Sequence, residues 1–415
     1  MAIVYTKTDQ GLTIATGTGA PVHTAVAGDR YTDTANGNTY QYTTSWQTIS
    51  YSAGGLTYFT EAQNTTAPNA TVPVDTLTAV TATTNGDIAI VPKGAGAFTL
   101  AVADNLVAGG NKRGTNAIDL QTIRSVNTQV ASGVSSFLAG NGNTASGSYS
   151  SAIGYLNASS GAYSSAIGYG NIASNTFSYT FGSSCTASNA NAIAMGNRAK
   201  ATGDSSICLG NYYYADSTAS GQNSIVLGYG TASANRSMAL GFSALVANAS
   251  STAIGDYSNT FSTIGRIALS GGSLGNAGDN QKGVVSYRQR TTDATPTILT
   301  TNNATTFGDN AGAQLALQNQ QVMRFKGSIT AKKSGTTDIA VWDIDGVLVR
   351  GANAASTVLT VGNVNVVTNI PAWVTPTLAA NTSVNVGGLL ITITGVIATN
   401  IQWFAVIDTV ENIYA

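Results

Sequence analysis

The chain has 415 residues, only 9% of them charged, and a formal net charge of −1. A chain so close to neutral has no electrostatic attraction to nucleic acid or to an anionic membrane. No apolar run reaches the roughly eighteen residues that a membrane helix needs. Low charge combined with many small residues suits long β-sheets buried between identical subunits. The length leaves room for roughly two to four domains.

Residues 1–52 predict an extended start followed by a β-hairpin. Asn36-Gly37 is a hairpin turn signal, with residues 28–33 before it and a return strand through residues 40–46 after it. The first residues lack the charged-then-apolar pattern of a secretion signal, so we expect synthesis in the cytoplasm. Residues 53–133 predict a β-rich lead-in, in which Lys112, Arg113 and Arg124 are interpreted as surface residues or as partners of acids across a subunit interface.

The middle of the chain carries a glycine repeat with a period of 14 residues. The spacing differs from 14 only between Gly210 and Gly241. Its members are Gly140, Gly154, Gly168, Gly182, Gly196, Gly210, Gly228, Gly241 and Gly255. A second series, half a period out of phase, consists of Gly147, Gly161, Asn175, Asn189, Gly203, Gly221, Asn235 and Asn248. Because Gly and Asn tolerate positive φ in tight turns, the pattern predicts a solenoid with two short strands per coil.

The residues before each glycine alternate in size. The residue directly before it is large and apolar, except at Ala139, and the one before that is usually small. Neighbouring strand residues point to opposite faces, so we expect the large residue to fill the coil and the small one to face a partner chain. The predicted subunit-packing residues are Ala152, Ala166, Ala194, Ala239 and Ala253.

Two of these segments resemble a known family. Residues 150–154 and 164–168, both ending in Ser-Ala-Ile-Gly, are similar to the repeat of YadA-type trimeric adhesin heads. The resemblance covers about residues 134–270 and implies a left-handed parallel β-roll with three chains around one axis. A bacterial adhesin of this type would carry a signal peptide and a membrane barrel. Neither pattern is found, which favours a tailed-phage fibre. Residues 28–46, 109–121, 350–355 and 391–395 also resemble segments of phage fibre proteins.

Residues 271–295 are interpreted as a connector, and residues 296–415 predict a C-terminal β-sandwich. Strand-length runs separated by turn residues lead to this prediction. The runs are Val322–Ala331, Thr337–Arg350, Ser356–Val361, Gly388–Ile397 and Ile401–Val410. Trp342, Trp373 and Trp403 lie in this region, either as core residues or, if exposed, as platforms for sugar rings.

An insertion in one coil supplies a second candidate site. Tyr212, Tyr213 and Tyr214 could stack on sugars, with Asp216 accepting hydroxyl protons; the alternative is a loop that packs on the neighbouring subunit. Few residues suit catalysis, because the repeat contains only three acids and the chain only one histidine, His23. Asp343-Ile344-Asp345-Gly346 begins like a calcium loop but lacks its later ligands. No cofactor or metal is expected.

The sequence therefore predicts an all-β trimeric fibre with a hairpin-rich N-terminal region, a central β-roll and a C-terminal β-sandwich. The predicted function is non-enzymatic attachment of a phage to the host cell surface, as a receptor-binding tail fibre. Its expected partners are two copies of itself, tail or capsid proteins at the N-terminus, and a host glycan or protein. A head or capsid-decorating fibre and a glycan-cleaving tailspike are the alternatives.

Overall fold

The computed structural model describes residues 4–7, 13–17, 29–33, 39–42, 46–49, 59–64, 74–79, 90–211, 215–261, 263–303, 313–383 and 386–414. Within these residues the chain is all-β, apart from a 3-10 turn at Ala354–Ser356. No described helix is long and apolar enough to cross a membrane. The chain divides into two compact units, Met1–Val91 and Pro92–Ala415.

The first unit holds a five-stranded sheet and a separate strand pair. In chain order the strands are β1 (Val4–Lys7), β2 (Thr13–Gly17), β3 (Arg30–Asp33), β4 (Thr39–Tyr42), β5 (Trp46–Ile49), β6 (Phe59–Asn64) and β7 (Val74–Ala79). β3 and β4 pair antiparallel with Tyr31 opposite Tyr40, which confirms the predicted hairpin. Its turn at residues 36–37 lies outside the described residues. Trp46 does not belong to the return strand, because it begins β5, which pairs back on β4.

The second unit begins with a parallel β-solenoid. Its strands are β8 (Phe98–Thr99), β9 (Ile118–Ile123), β10 (Phe137–Asn141), β11 (Thr144–Ala145), β12 (Ser151–Tyr155), β13 (Ala158–Ser159), β14 (Ser165–Tyr169), β15 (Ile172–Ala173), β16 (Tyr179–Ser183), β17 (Thr186–Ala187), β18 (Ile193–Asn197), β19 (Ala199–Ala201), β20 (Ile207–Asn211), β21 (Ser217–Ala219), β22 (Ile225–Leu227), β23 (Gly230–Ala232), β24 (Met238–Leu240), β25 (Ala244–Val246), β26 (Thr252–Asp256) and β27 (Ile267–Gly271). The odd-numbered strands β11 to β25 form one parallel sheet of short strands. The others form a long parallel ladder from β8 to β27.

The glycine repeat sets the stacking of the coils. Gly154 lies opposite Gly168 in the ladder, and the same register joins Gly168 to Gly182. Gly154 has φ +116°, and a Cβ there would lie 2.2 Å from the carbonyl oxygen of Gly168. Both the backbone conformation and the close approach therefore require glycine. For the half-period series, the predicted position of the positive φ is less accurate. The positive φ belongs, for example, to Tyr163 (φ 56°), two residues after Gly161.

The interior of the coil is filled by small side chains, which reverses the predicted facing. Ala152, Ala166, Ala194, Ala239 and Ala253 are at most 1% exposed and point into the coil. The large residues beside them point outward. The opposite wall of the coil is also lined by small residues, such as Ala173 of β15 and Ala187 of β17. Two walls this close leave no room for a large side chain, so the alanines cannot form the subunit contact.

A column of buried amides connects the first coils. Gln121, Asn143, Asn157 and Asn171 are at most 1% exposed. The Asn157 Nδ2 donates to the carbonyls of Ile153 (2.9 Å) and of Gly168 in the next coil (2.7 Å). Its Oδ1 accepts from the backbone N–H of Asn171 at 3.0 Å. Each amide thus satisfies backbone groups of two coils that would otherwise be buried without partners.

Both ends of the solenoid interior are closed by buried ion pairs. At the first end, Asp119 is 0% exposed and pairs with Arg113 (2.7 Å) and Arg124 (3.4 Å). The prediction that these two arginines lie on the surface or pair across subunits is therefore wrong, whereas Lys112 is exposed. At the other end, Arg266 pairs with Glu411, and both side chains are 0% exposed. Buried charges are tolerated only when paired in this way.

The C-terminal part contains two antiparallel sheets. Its strands are β28 (Asn280–Thr291), β29 (Pro296–Ile298), β30 (Gln321–Lys333), β31 (Ile339–Arg350), β32 (Val358–Asn369), β33 (Thr377–Asn381), β34 (Gly388–Thr394) and β35 (Ile401–Ile413). One sheet has the order β28-β35-β30-β31-β32, and the other has the order β29-β34-β33. Side chains from both sheets share one apolar core, which is consistent with the predicted sandwich.

The solenoid and the C-terminal sheet form one continuous hydrogen-bonded sheet. The last coil strand, β27, pairs antiparallel with β28, and β28 pairs with β35 along its whole length. The segment interpreted as a connector therefore contains a 12-residue strand. The five strands expected in this part are present, whereas β28, β29 and β33 were not predicted.

The amide column gives a test of the coil interior. Replacing Asn157 by Ala removes the acceptor of the Asn171 N–H and the donor to two buried carbonyls. Because each buried unsatisfied group costs about 1–3 kcal/mol, we expect the free energy of unfolding to fall by about 2–5 kcal/mol in denaturant titrations. Asn365→Ala makes the same change on an exposed strand and should have an effect below about 0.5 kcal/mol. Equal effects of the two substitutions would contradict a structural role for the column.

Candidate functional site

The outer face of the long parallel ladder is apolar. It is defined by two columns of residues, which are the positions one and three before each repeat glycine and their equivalents in β27. The first column consists of Ala139, Ile153, Ile167, Phe181, Met195, Leu209, Leu227, Leu240, Ile254 and Leu269. The second contains Phe137, Tyr179, Ile193, Ile207, Ile225, Met238 and Ile267, with Ser or Thr in the other coils. We call this surface the apolar face of the roll.

Much of the apolar face is exposed in the single chain. Phe181 is 56% exposed, and Met195, Leu209 and Leu227 are each about 40% exposed. Parallel pairing aligns the same position in successive coils, so the exposed side chains form unbroken columns. Soluble monomers rarely expose contiguous apolar patches of more than a few hundred Å². The face has the properties of a protein–protein contact.

The sequence analysis missed this face because it placed these side chains inside the coil. The second strand of each coil carried the signal that would have corrected the error. Its inward positions are again small, as at Ala145, Ser159, Ala173 and Ala187. Two facing walls of small residues define a thin interior, and the large residues must then lie outside.

The insertion site is only partly described. Tyr212, Tyr213 and Tyr214 lie outside the described residues, so their predicted sugar contact stays a prediction. Asp216 forms ion pairs with Lys200 (2.5 Å) and Arg198 (3.0 Å) of the preceding coil. The hydrogen bond from Lys200, aided by the charges of both cations, lowers the pKa of Asp216. Each carboxylate oxygen of Asp216 thus contacts one cation of the preceding coil, while 28% of the side chain stays exposed.

The three C-terminal tryptophans are core residues. Trp342, Trp373 and Trp403 are 0%, 7% and 1% exposed, so the proposal that they stack on sugars is wrong. The rings of Trp342 and Trp403 stack with centroids 5.8 Å apart, and Trp373 lies 6.3 Å from Trp403. The Trp403 Nε1 donates to the Thr291 Oγ1 at 2.9 Å. Alternation along β31 and β35 sends the rings of Trp342 and Trp403 inward, whereas Trp373 lies in the segment that joins β32 to β33.

Exposed aromatic rings occur instead on the turns of the roll and at the ends of two of its strands. Tyr149, Tyr163 and Phe177 stack at centroid distances of 4.9 and 5.1 Å, and Tyr155 stacks on Tyr169 at 5.4 Å. Each ring is between 43% and 55% exposed. Their flat faces cover one another from coil to coil, which stabilises the stack and leaves mainly ring edges in solvent.

Reactive groups on the roll are few. Cys185 and Cys208 are free and buried, and burial raises both pKa values, that of Cys208 to about 11. Both thiols are therefore protonated and unreactive near neutral pH. In the part of the chain that the structure describes, no three His, Cys, Asp or Glu side chains come close enough to hold a metal ion.

Comparison with known families identifies the repeat. The model of the YadA head domain repeat matches residues 187–212, 215–231 and 232–258, which lie within the solenoid. The match and the observed solenoid together support a YadA-like adhesin or fibre and are consistent with a homotrimer. No curated protein matches the chain.

Two solved structures of phage tailspikes match weakly. One is the tailspike protein gp49 from Acinetobacter baumannii bacteriophage Fri1, a capsular polysaccharide depolymerase, with 11% identity and a TM-score of 0.20. It is matched over 76% of this chain and 56% of its own. The other is the tailspike protein of Acinetobacter baumannii phage AM24, with 10% identity and a TM-score of 0.17, over 77% of this chain and 57% of its own. These scores are too low to indicate a shared fold.

The tryptophan core can be tested against the sugar-stacking hypothesis. Replacing Trp403 by Ala removes a buried ring, its stacking partners and its hydrogen bond, so the free energy of unfolding should fall by about 3–5 kcal/mol. Ile397→Ala, on a 76% exposed loop residue of the same part of the chain, should change it by less than about 0.5 kcal/mol. Unchanged stability of the Trp403 variant, with loss of cell binding, would instead favour a sugar-contact role.

Proposed function

We propose that three copies of this chain form a fibre of a tailed phage, and that the fibre attaches the particle to the host cell surface without cleaving glycans. The observation that carries the proposal is the apolar face of the roll. It is exposed in one chain and runs the length of the coil stack. Within that stack, residues 187–212, 215–231 and 232–258 match the YadA head domain repeat.

Burial of this face supplies the driving force for assembly. Fully burying a large apolar side chain is worth about 1.5–3 kcal/mol, and about 40–55% of Phe181, Met195 and Leu209 is still exposed. Each such residue can therefore contribute on the order of 1 kcal/mol when a second chain covers it. The coils repeat the contribution at every step, so a few residues per coil give a long, stable interface.

The distribution of acids supports a non-enzymatic role for the roll. Glycoside hydrolysis normally uses two carboxyl groups about 5–10 Å apart. Asp204 and Asp256 are separated by more than three coils, which is roughly 15 Å at the spacing of parallel strands. Asp216 is held by two cations. A glycan-cleaving tailspike would therefore need its catalytic pair elsewhere in the chain.

Assignment to a phage particle rests on the resemblance of the N-terminal hairpin and the C-terminal segments to phage fibre proteins. In this proposal the first unit attaches to the tail or capsid, and the C-terminal sheets lie outermost and contact a host glycan or protein. Three identical tips on one fibre gain avidity, because binding of one tip raises the effective concentration of the others. A head or capsid-decorating fibre has the same order of parts.

The apolar face gives a direct test of assembly. Ile167→Glu places a charge on this face in each of three chains, so we expect the trimer to dissociate or to weaken by at least a hundredfold, measured by analytical ultracentrifugation. Ile172→Glu is the matched control, since Ile172 belongs to the same coil, is 45% exposed and lies on the short-strand sheet. A stable monomer of the unaltered chain, or equal weakening by both substitutions, would contradict the proposal.

Attachment is tested with purified protein and host cells. The full-length trimer should bind cells and release no reducing sugar, and an antibody fragment directed against residues 296–415 should block binding. Released sugar would favour the tailspike alternative. Binding that persists in the presence of the antibody fragment would move the receptor site away from the tip, and electron microscopy of virions labelled at the C-terminus would distinguish a tail fibre from a head fibre.

A further inference from the structure

A groove runs from a turn of the roll across one end of the five-stranded C-terminal sheet. Three neighbouring clefts of about 440, 620 and 440 Å³ form it. The first two clefts share Arg288 and Phe404, and the second and third share Arg290 and Gln402, so the clefts are continuous. We call this surface the basic groove and define it, in order from the roll, by Arg236, Arg288, Phe404, Arg290, Gln402 and Lys332.

The basic groove lies beside the apolar face of the roll and not on it. β27 begins at Ile267, whose partner in β28 is Val284, so residues 286–290 of β28 extend beyond the end of the last coil strand. Arg236 likewise lies in a turn, two residues before β24 begins. A chain that covers the apolar columns therefore contacts a different part of each coil.

The charged groups of the groove are all cations. Arg236, Arg288, Arg290 and Lys332 are exposed, and the ion pairs found among the described residues involve none of them. No acid of the described part of the chain lines the three clefts. Lys333 also lines the third cleft, but it pairs with Asp338 at 3.5 Å. A chain with a net charge of −1 thus collects four unpaired cations along one groove.

The rest of the same sheet face balances its charges. Lys282 pairs with Asp408 at 3.2 Å, and Lys326 lies between Asp408 and Asp345 on the neighbouring strands. At the groove, by contrast, Arg290 and Lys332 flank the neutral Gln402. Like charges on one face of a sheet repel each other, and a bound anion removes that repulsion. The groove is therefore complementary to an extended anionic ligand.

We propose that the basic groove binds an anionic polysaccharide of the host cell surface. The proposal rests on the proposed attachment function and gives the chemical class of the receptor. Guanidinium groups bind carboxylates and phosphates through paired hydrogen bonds, and the Gln402 amide can donate to and accept from sugar hydroxyls. Phe404 is 49% exposed and presents an apolar ring to a sugar. One exposed ring suits a glycan, since binders of single-stranded nucleic acid stack successive bases on several aromatic side chains.

Binding of defined polymers to the full-length protein tests the proposal. The probes are polygalacturonate, which bears carboxylates, a glycerol-phosphate teichoic acid, and neutral dextran. We expect an anionic glycan to bind and dextran not to bind, with affinity falling as NaCl rises. The better of the two anionic probes identifies the charged group that the groove prefers. Tighter binding of single-stranded DNA than of either glycan would overturn the assignment to a polysaccharide.

Substitutions locate the binding. Arg288→Gln combined with Arg290→Gln removes two charge-assisted contacts, so affinity for the anionic glycan should fall by about tenfold or more. Lys282→Gln combined with Arg324→Gln is the matched control, because it removes the same charge from the same sheet outside the groove and should change affinity by less than about twofold. Lys332→Gln repeats the measurement on another strand if the double variant does not fold, and unchanged affinity of the folded Lys332 variant would count against the groove.

Cell binding separates this inference from the proposed function. If the unaltered protein binds host cells and the Arg288→Gln, Arg290→Gln variant binds them equally well, attachment stands and the groove is not its receptor site. If the unaltered protein binds an anionic glycan through the groove but no host cell, the proposed attachment fails and the groove assignment stands. Failure of both anionic glycans to bind, or equal weakening by the groove pair and the control pair, overturns the inference alone.

Discussion

The thinness of the coil determines most of this structure. Successive coils approach so closely that a Cβ at Gly154 would overlap the next carbonyl, and the two walls of each coil face each other across alanine and serine. Such an interior buries little apolar surface per residue. Its stability comes instead from the backbone ladders, the amide column and the stacking of identical positions, each of which needs a neighbouring coil.

The thin interior determines which residues lie on the outer surface of the roll. The large apolar residues of the repeat have no place within the coil, so they line an outer face that water would otherwise contact. In an ordinary globular domain the same side chains would form the core of one chain. In the proposed trimer they form a core that several chains complete together, which makes folding and assembly parts of one process. The C-terminal sheets differ, since their tryptophans and isoleucines form a core within one chain.

The sequence predicted the period and the strands of the roll, and it placed the half-period turns to within two residues, because these features depend on local residue types. It did not predict the direction in which the strands face. Alternation shows which residues share a face, whereas the choice of the inner face depends on the opposite wall. The buried pair of Arg113 with Asp119 was also missed, because only the register of β9 places residue 119 inside the coil. β28 was missed because the strand with which it pairs along its whole length, β35, begins more than 100 residues further along the chain. The burial of the tryptophans was not predicted either, because it follows from the packing of two sheets and not from the local sequence.

The buried ion pairs at the two ends of the roll have a consequence for evolution. Arg113 and Arg124 with Asp119 close one end, and Arg266 with Glu411 closes the other, while the coils between them contact only coils like themselves. A unit of 14 residues can therefore be duplicated or lost between the closures without exposing either end. Each such event changes the length of the roll by about 4.8 Å. Gene duplication could thus adjust the reach of the protein in small equal steps, independently of the parts at its ends.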